Sequence, residues 1–194
     1  MGVAGSGKST AGALIAERLG AAFIEGDRFH LPASLEKMAA GIPLTDDDRW
    51  PWLEQLGREI ADATKGGQPV VCACSALRRA YRDVLRKGSG LRLTFVYLEG
   101  SRELIAGRMA DRSGHFFATS LLDSQFAALE PPAQDEGAIV ADLRLPVEEM
   151  VGGVVEELAR RDRELAEWAE DVELNSLADK RAGQRRIRVD LDKD

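Results

Sequence analysis

The chain opens MGVAGSGKST, and Gly2-x-x-x-x-Gly7-Lys8-Ser9 within it is a complete phosphate-binding loop. The spacing suits a polyphosphate. Gly2, Gly5 and Gly7 let the backbone approach phosphate oxygens, and the N–H groups from Gly5 through Thr10, Ser6 included, can converge on one anion at the start of a helix. Lys8 has the reach for the outer phosphates, Ser9 can place its hydroxyl on Mg²⁺, and Thr10 can add a contact further in. The alternative is a glycine-rich turn with no ligand.

A second group of polar residues lies downstream. Asp27 ends an apolar run beside the loop, where a carboxylate can accept a hydroxyl proton or hold a metal-bound water. His30 can pair with a sugar hydroxyl, or be a surface histidine in a loop. The run Asp46-Asp47-Asp48 reads as a solvated helix start, whereas Arg49 after it carries a fork that can grip a carboxylate. Arg78 and Arg82 are four apart, so they share a helix face that either meets one anionic ligand or is simply solvated. Arg108 and Arg112, also four apart, precede Ser113-Gly114-His115-Phe116-Phe117, a stretch suited to a lid whose arginines neutralise charge on a transferred group.

Elements that would position these residues alternate along the chain. Helical spacing over 9–20, 46–65, 76–88 and 101–114 interleaves with apolar runs at 21–27, 68–75, 91–100 and 137–143, the pattern of a parallel sheet covered by helices. A last helix starts after Pro146 and is expected to continue to about Leu174 through Leu165, Trp168, Ala169 and Val172. The 194 residues suit one compact α/β domain with an added segment. A net charge of −7 argues against nucleic-acid binding, and no apolar stretch is long enough for a bilayer, so the cytoplasm is expected. Cys72 and Cys74 lie two apart in an apolar strand, which favours reduced, buried thiols over a disulfide.

The motifs together resemble the gluconokinase family, small P-loop kinases related to shikimate and adenylate kinases. Gly26-Asp27-x-x-His30, Lys37-Met38-x-x-Gly41, Pro43 through Leu53 and Cys74-Ser75-Ala76-Leu77 with Tyr81-Arg82-Asp83 follow the family's order. Gly114-His115-Phe116, Gln125-Phe126 and Leu129-Glu130 continue it, so the likeness runs from residue 2 to about 160. It implies an α/β, P-loop nucleoside-triphosphate hydrolase-like three-layer fold with a parallel sheet. A kinase domain would span 1–160, with a lid at about 108–130, and 161–194 would be a charged, partly helical extension.

The implied reaction is ATP-dependent, Mg²⁺-assisted phosphorylation of D-gluconate at the 6-hydroxyl, giving 6-phospho-D-gluconate and ADP, in a homodimer. Lys8, Asp27 and Arg112 would be catalytic; Gly2, Gly5, Ser6, Gly7, Ser9, Thr10 and Arg108 would join Lys8 on the nucleotide. Asp27, His30, Arg49, Arg78, Arg82, His115 and Gln125 would face the sugar acid, and Ser9 with Asp27 the metal. Leu31, Ser34, Arg78 and Ser113 stand where the family usually has Pro, Asn, Lys and Lys, so a related sugar acid is the alternative substrate. A nucleotide-binding protein with impaired turnover is a further alternative, because only Met1 precedes the loop.

In this fold a buried strand feeds the loop, and the sequence shows none. The expected explanation is a start placed too late, with the strand encoded upstream. The rival is that Ile187, Val189 and Leu191, alternating with Arg188 and Asp190, fill the slot; two charged side chains in a central strand disfavour it.

Overall fold

The computed structural model describes residues 1–110 and 119–188, and the chain divides between Val155 and Glu156 into two compact units. In the first, the loop runs into α1 (Lys8–Leu19), closed by Gly20 at a φ of 60° whose N–H returns to the Ala16 and Glu17 carbonyls. Strand β1 (Ala22–Glu25) follows, then a 3₁₀ turn over Gly26–Phe29 and the short helix α2 (Pro32–Ala39). Helix α3 (Asp46–Ala63) starts with a capping box: Asp48 N–H donates to the Thr45 hydroxyl while the Asp48 carboxylate accepts from Thr45 N–H.

Strand β2 (Val70–Ala73), α4 (Arg79–Ser89), β3 (Val96–Glu99) and α5 (Arg102–Ala110) come next. Beyond lie α6 (Thr119–Ala128), β4 (Ile139–Asp142) and α7 (Val147–Arg188). Strands β1 and β2 pair in parallel with Phe23 opposite Val71, and β3 pairs in parallel with β4 with Tyr97 opposite Val140. Met1 and the first loop residue, Gly2, join the two pairs. Met1 donates its N–H to Val96 and accepts from Leu98 N–H at 2.9 Å, while Gly2 N–H reaches the Ser75 carbonyl at 3.1 Å. Short as it is, this stretch carries the loop to the ends of β2 and β3.

The core beneath the site comes chiefly from α3 and α4. Trp52, Leu53, Leu56 and Ile60 pack on Tyr81, Leu85, Cys74 and Phe95. Those four α3 side chains contribute about 6–12 kcal/mol by leaving water, comparable with the stability of a whole domain. The two helices meet almost backbone to backbone, since a Cβ on Gly57 would lie 2.9 Å from Gly88 Cα. Cys74 is buried and Cys72 partly so; both are free, and burial pushes both thiols up, Cys74 to about 12, which leaves them unreactive.

Several parts of the sequence reading need correction. Helix α2, behind Pro32, and helix α6 were not foreseen, and β3 is shorter than the apolar run over 91–100 that announced it. Helix α7 extends to Arg188 rather than stopping near Leu174, with Arg160 pairing with Glu157 and Glu164 and Arg161 with Glu157. Ile187 and Arg188 are therefore helical, not the start of a strand; Val189–Leu191 lie outside the described residues.

Candidate active site

The loop owes its shape to glycine. Gly5 and Gly7 adopt φ of 77° and 87°, and a Cβ on Gly5 would come within 2.5 Å of Met109 Cγ on α5. Gly7 caps α1 and has no side chain to accept from the first-turn N–H groups, which leaves them for an anion. Two side chains hold the loop: Lys8 Nζ donates to the Val3 carbonyl at 2.9 Å, and Gln125 Oε1 on α6 accepts from Ala4 N–H at 2.6 Å. Burial foremost pulls the Lys8 ammonium below its usual pKa, and the nearby Asp27 charge opposes that shift. Ser6 is buried with its hydroxyl unpaired among the described residues.

Opposite the loop, Asp27 rises from the 3₁₀ turn after β1. Gly26 must be glycine because a Cβ there would sit 2.5 Å from the Ala73 carbonyl, and Trp52 Nε1 donates to the Gly26 carbonyl at 2.8 Å. The same indole stacks on His30 with ring centres 4.0 Å apart and an angle of 22°. His30 is buried rather than a surface histidine: its Nε2 lies 3.7 Å from Asp27 Oδ1, and its Nδ1 has no partner among the described residues. The adjacent imidazole foremost, with Lys8 adding, holds the Asp27 carboxyl below its ordinary pKa. A cleft of about 270 Å³ brings together Lys8, Ser9, Asp27, His30, Arg49 and Gln125. Met38, Ile42 and Leu44 give it an apolar wall.

The arginines divide. Arg49 lines the cleft and donates to the Leu44 carbonyl. Arg78 is tied to Asp46 at 2.9 Å, at the edge of the same region. Arg82 is a correction: it does not share a ligand-facing side with Arg78 but is 1% exposed and paired with Glu136 at 2.6 and 2.7 Å. Its remaining Nη1 donates to the carbonyls of Ala76, Leu77 and Glu130, so its fork is spent inside the protein. Arg108 donates to the Leu143 carbonyl and lines a second cavity of about 410 Å³ on the other side of the loop, with Thr10, Ala11, Leu145 and Met150. Arg112 and His115 lie outside the described residues.

Sequence reasoning missed several supports. Lys37 holds both Asp48 oxygens at 2.7 and 2.8 Å, which explains why the lysine motif accompanies the aspartate run; that bond foremost lowers the Asp48 pKa to about 2. Glu130 accepts from the first N–H of α4, Arg79, at 2.8 Å, and so fixes the chain end of α6. Trp52, Asp46 and Tyr81 carried no signal beyond their place in the motif.

Residues 1–132 match a family described as an AAA domain. The thermoresistant gluconokinase of Escherichia coli is 43% identical over 157 residues, covering 80% of this chain and 89% of that protein. A gluconokinase of Gluconobacter oxydans is 46% identical over 160 residues, covering 82% and 87%. Among solved structures, a gluconokinase from Sinorhizobium meliloti shares 47% identity at a TM-score of 0.78, covering 86% of this chain and 93% of its own.

Proposed function

Because the chain belongs to the gluconokinase family of P-loop kinases, we propose that it transfers the γ-phosphoryl of ATP to the 6-hydroxyl of D-gluconate, giving 6-phospho-D-gluconate and ADP. One observation carries the reading at the site: the loop lysine Lys8, the Asp27 carboxyl of lowered pKa and the Arg49 guanidinium line a single cleft. Phosphoryl transfer asks little covalent chemistry of a protein, so alignment and charge do most of the work.

The triphosphate lies along Gly2 and Gly5–Thr10, with Lys8 leaving the Val3 carbonyl for the outer phosphates. The nucleoside extends into the second cavity beside Arg108. Arg49 grips the gluconate carboxylate, which sends the far end of the six-carbon chain toward Asp27 and Lys8. Asp27 and His30 orient the 6-hydroxyl; as its oxygen bonds to the γ-phosphorus, the bond to the bridging oxygen breaks, ADP leaves, and Asp27 takes the proton. Arg112 is proposed on sequence alone to offset charge on the phosphoryl, and His115 to join the acceptor side. Gln125, with its oxygen on Ala4, has its –NH₂ left for the acceptor.

Mg²⁺ fits the residues present. Ser9 and Asp27 offer hard oxygens in one cleft, a small protein donor set that suits an ion keeping waters and phosphate oxygens. When bound, it draws charge from the phosphate oxygens. The proposal extends to a catalytic domain over 1–160 with a lid at 108–130, to a cytoplasmic homodimer, and to 161–194 as an appendage. No described helix is long and apolar enough to cross a membrane.

A screen of D-gluconate, other aldonic acids, shikimate and nucleoside monophosphates with ATP and Mg²⁺ tests the acceptor. Gluconate should give the highest kcat/KM. Equal turnover of shikimate, or reaction of a nucleoside monophosphate alone, would overturn the proposal.

A further inference from the structure

The aspartate run at the start of α3 is not uniform. Asp48 is spent on Thr45 and Lys37, but Asp46 turns to α4, accepting the Tyr81 hydroxyl at 2.5 Å and Arg78 Nη1 at 3.2 and 2.9 Å. Arg49 Nη1 lies 3.9 Å from the same carboxylate. The buried Tyr81 ring has the Arg49 guanidinium 5.6 Å and the Arg78 guanidinium 5.8 Å from its centre. Arg49 is thus held by the Leu44 carbonyl, an aromatic ring and a carboxylate. The two arginines differ in consequence: Arg78 has its charge matched by a close pair, whereas the nearest acceptor of Arg49 is a neutral carbonyl, and only Arg49 lines the cleft.

We propose that Asp46 and Tyr81 are positioning residues that present Arg49 to the carboxylate of the substrate, with Arg78 serving as a strut between α3 and α4 rather than as a ligand. The inference rests on the reading that Arg49 holds that carboxylate. An arginine side chain has many rotamers, and a bidentate grip needs one of them, so fixing the guanidinium beforehand lowers the ordering required on binding. Tyr81 suits the task because burial, foremost, and its bond to Asp46 raise the phenol's pKa and keep it a donor. Asp46 therefore acts on the acid only through Arg49, since its carboxylate meets Arg49, Arg78 and Tyr81.

The test is a set of steady-state measurements on Arg49→Ala, Asp46→Asn, Tyr81→Phe and the Asp46→Asn/Arg49→Ala double variant, with gluconate and ATP varied separately. Asp46→Asn should raise KM for gluconate roughly tenfold, with kcat within about twofold and KM for ATP unchanged. Tyr81→Phe, which keeps the ring, should move KM the same way but less. In the Arg49→Ala background Asp46→Asn should add nothing, since residues acting through one another are not additive. Unchanged KM in Asp46→Asn and Tyr81→Phe, or full multiplication in the double variant, would overturn the inference while leaving the carboxylate reading intact. Loss of kcat and of ATP affinity alongside would assign Asp46 a merely structural part. If Arg49→Ala itself leaves KM for gluconate unchanged, the carboxylate reading fails and takes this inference with it.

Discussion

At the scale of single residues, the proposed mechanism separates groups that meet changing charge from groups that hold the substrate still. Lys8 belongs to the first kind, so Lys8→Ala should cost about 10²–10³-fold in kcat with a smaller effect on KM for gluconate, measured in a coupled ADP assay. Arg49 belongs to the second, and Arg49→Ala should raise KM for gluconate while kcat changes little. The loop residues were legible because glycine, lysine and serine at fixed spacing have a mechanism attached. Arg82 was not: spacing alone gives Arg78 and Arg82 the same helix face, and only the fold reveals that Glu136, 54 positions away, waits inside for one of them. His30 shows the same limit, since nothing local announces the indole of Trp52 stacked on it.

Among the elements, α1, α3 and α4 were readable from helical spacing, although α4 begins at Arg79 rather than residue 76 and runs to Ser89. Helix α2 escaped notice because Leu31, Leu35 and Met38 stay exposed and its eight residues bury little. Helix α7 outran its expected end near Leu174, where apolar spacing stops, and continues to Arg188. The contact between the loop and α5 gives a test at this scale. Gly5→Ala puts a methyl against Met109 and Ile105 at a φ that L residues rarely adopt, so α5 and the loop must separate. Nucleotide affinity, read by titration with a fluorescent ATP analogue, should fall at least tenfold. Unchanged affinity would show that the loop reshapes freely.

At the scale of the molecule, the buried Arg82–Glu136 pair links α4 to the turn ahead of β4 and should govern acid stability. Arg82 foremost lowers the Glu136 pKa from 4.5 to about 2. A carboxyl whose pKa is depressed by folding stabilises the native state above its unfolded value and loses that contribution as pH falls through the folded one. Thermal melts should therefore show Glu136→Gln less stable than the unaltered protein at pH 7, with the gap narrowing between pH 4.5 and 2. A gap independent of pH would assign the pair no electrostatic share. The central claim is that one cleft aligns the far hydroxyl of gluconate with the γ-phosphate. Its most direct test is the position of the phosphate in the product, by ¹³C and ³¹P NMR after incubation with ATP, Mg²⁺ and D-gluconate. Phosphorus coupling confined to C6 and its neighbour C5 is expected; a phosphoryl group on another carbon, or ADP released with no phosphorylated acid, would contradict it.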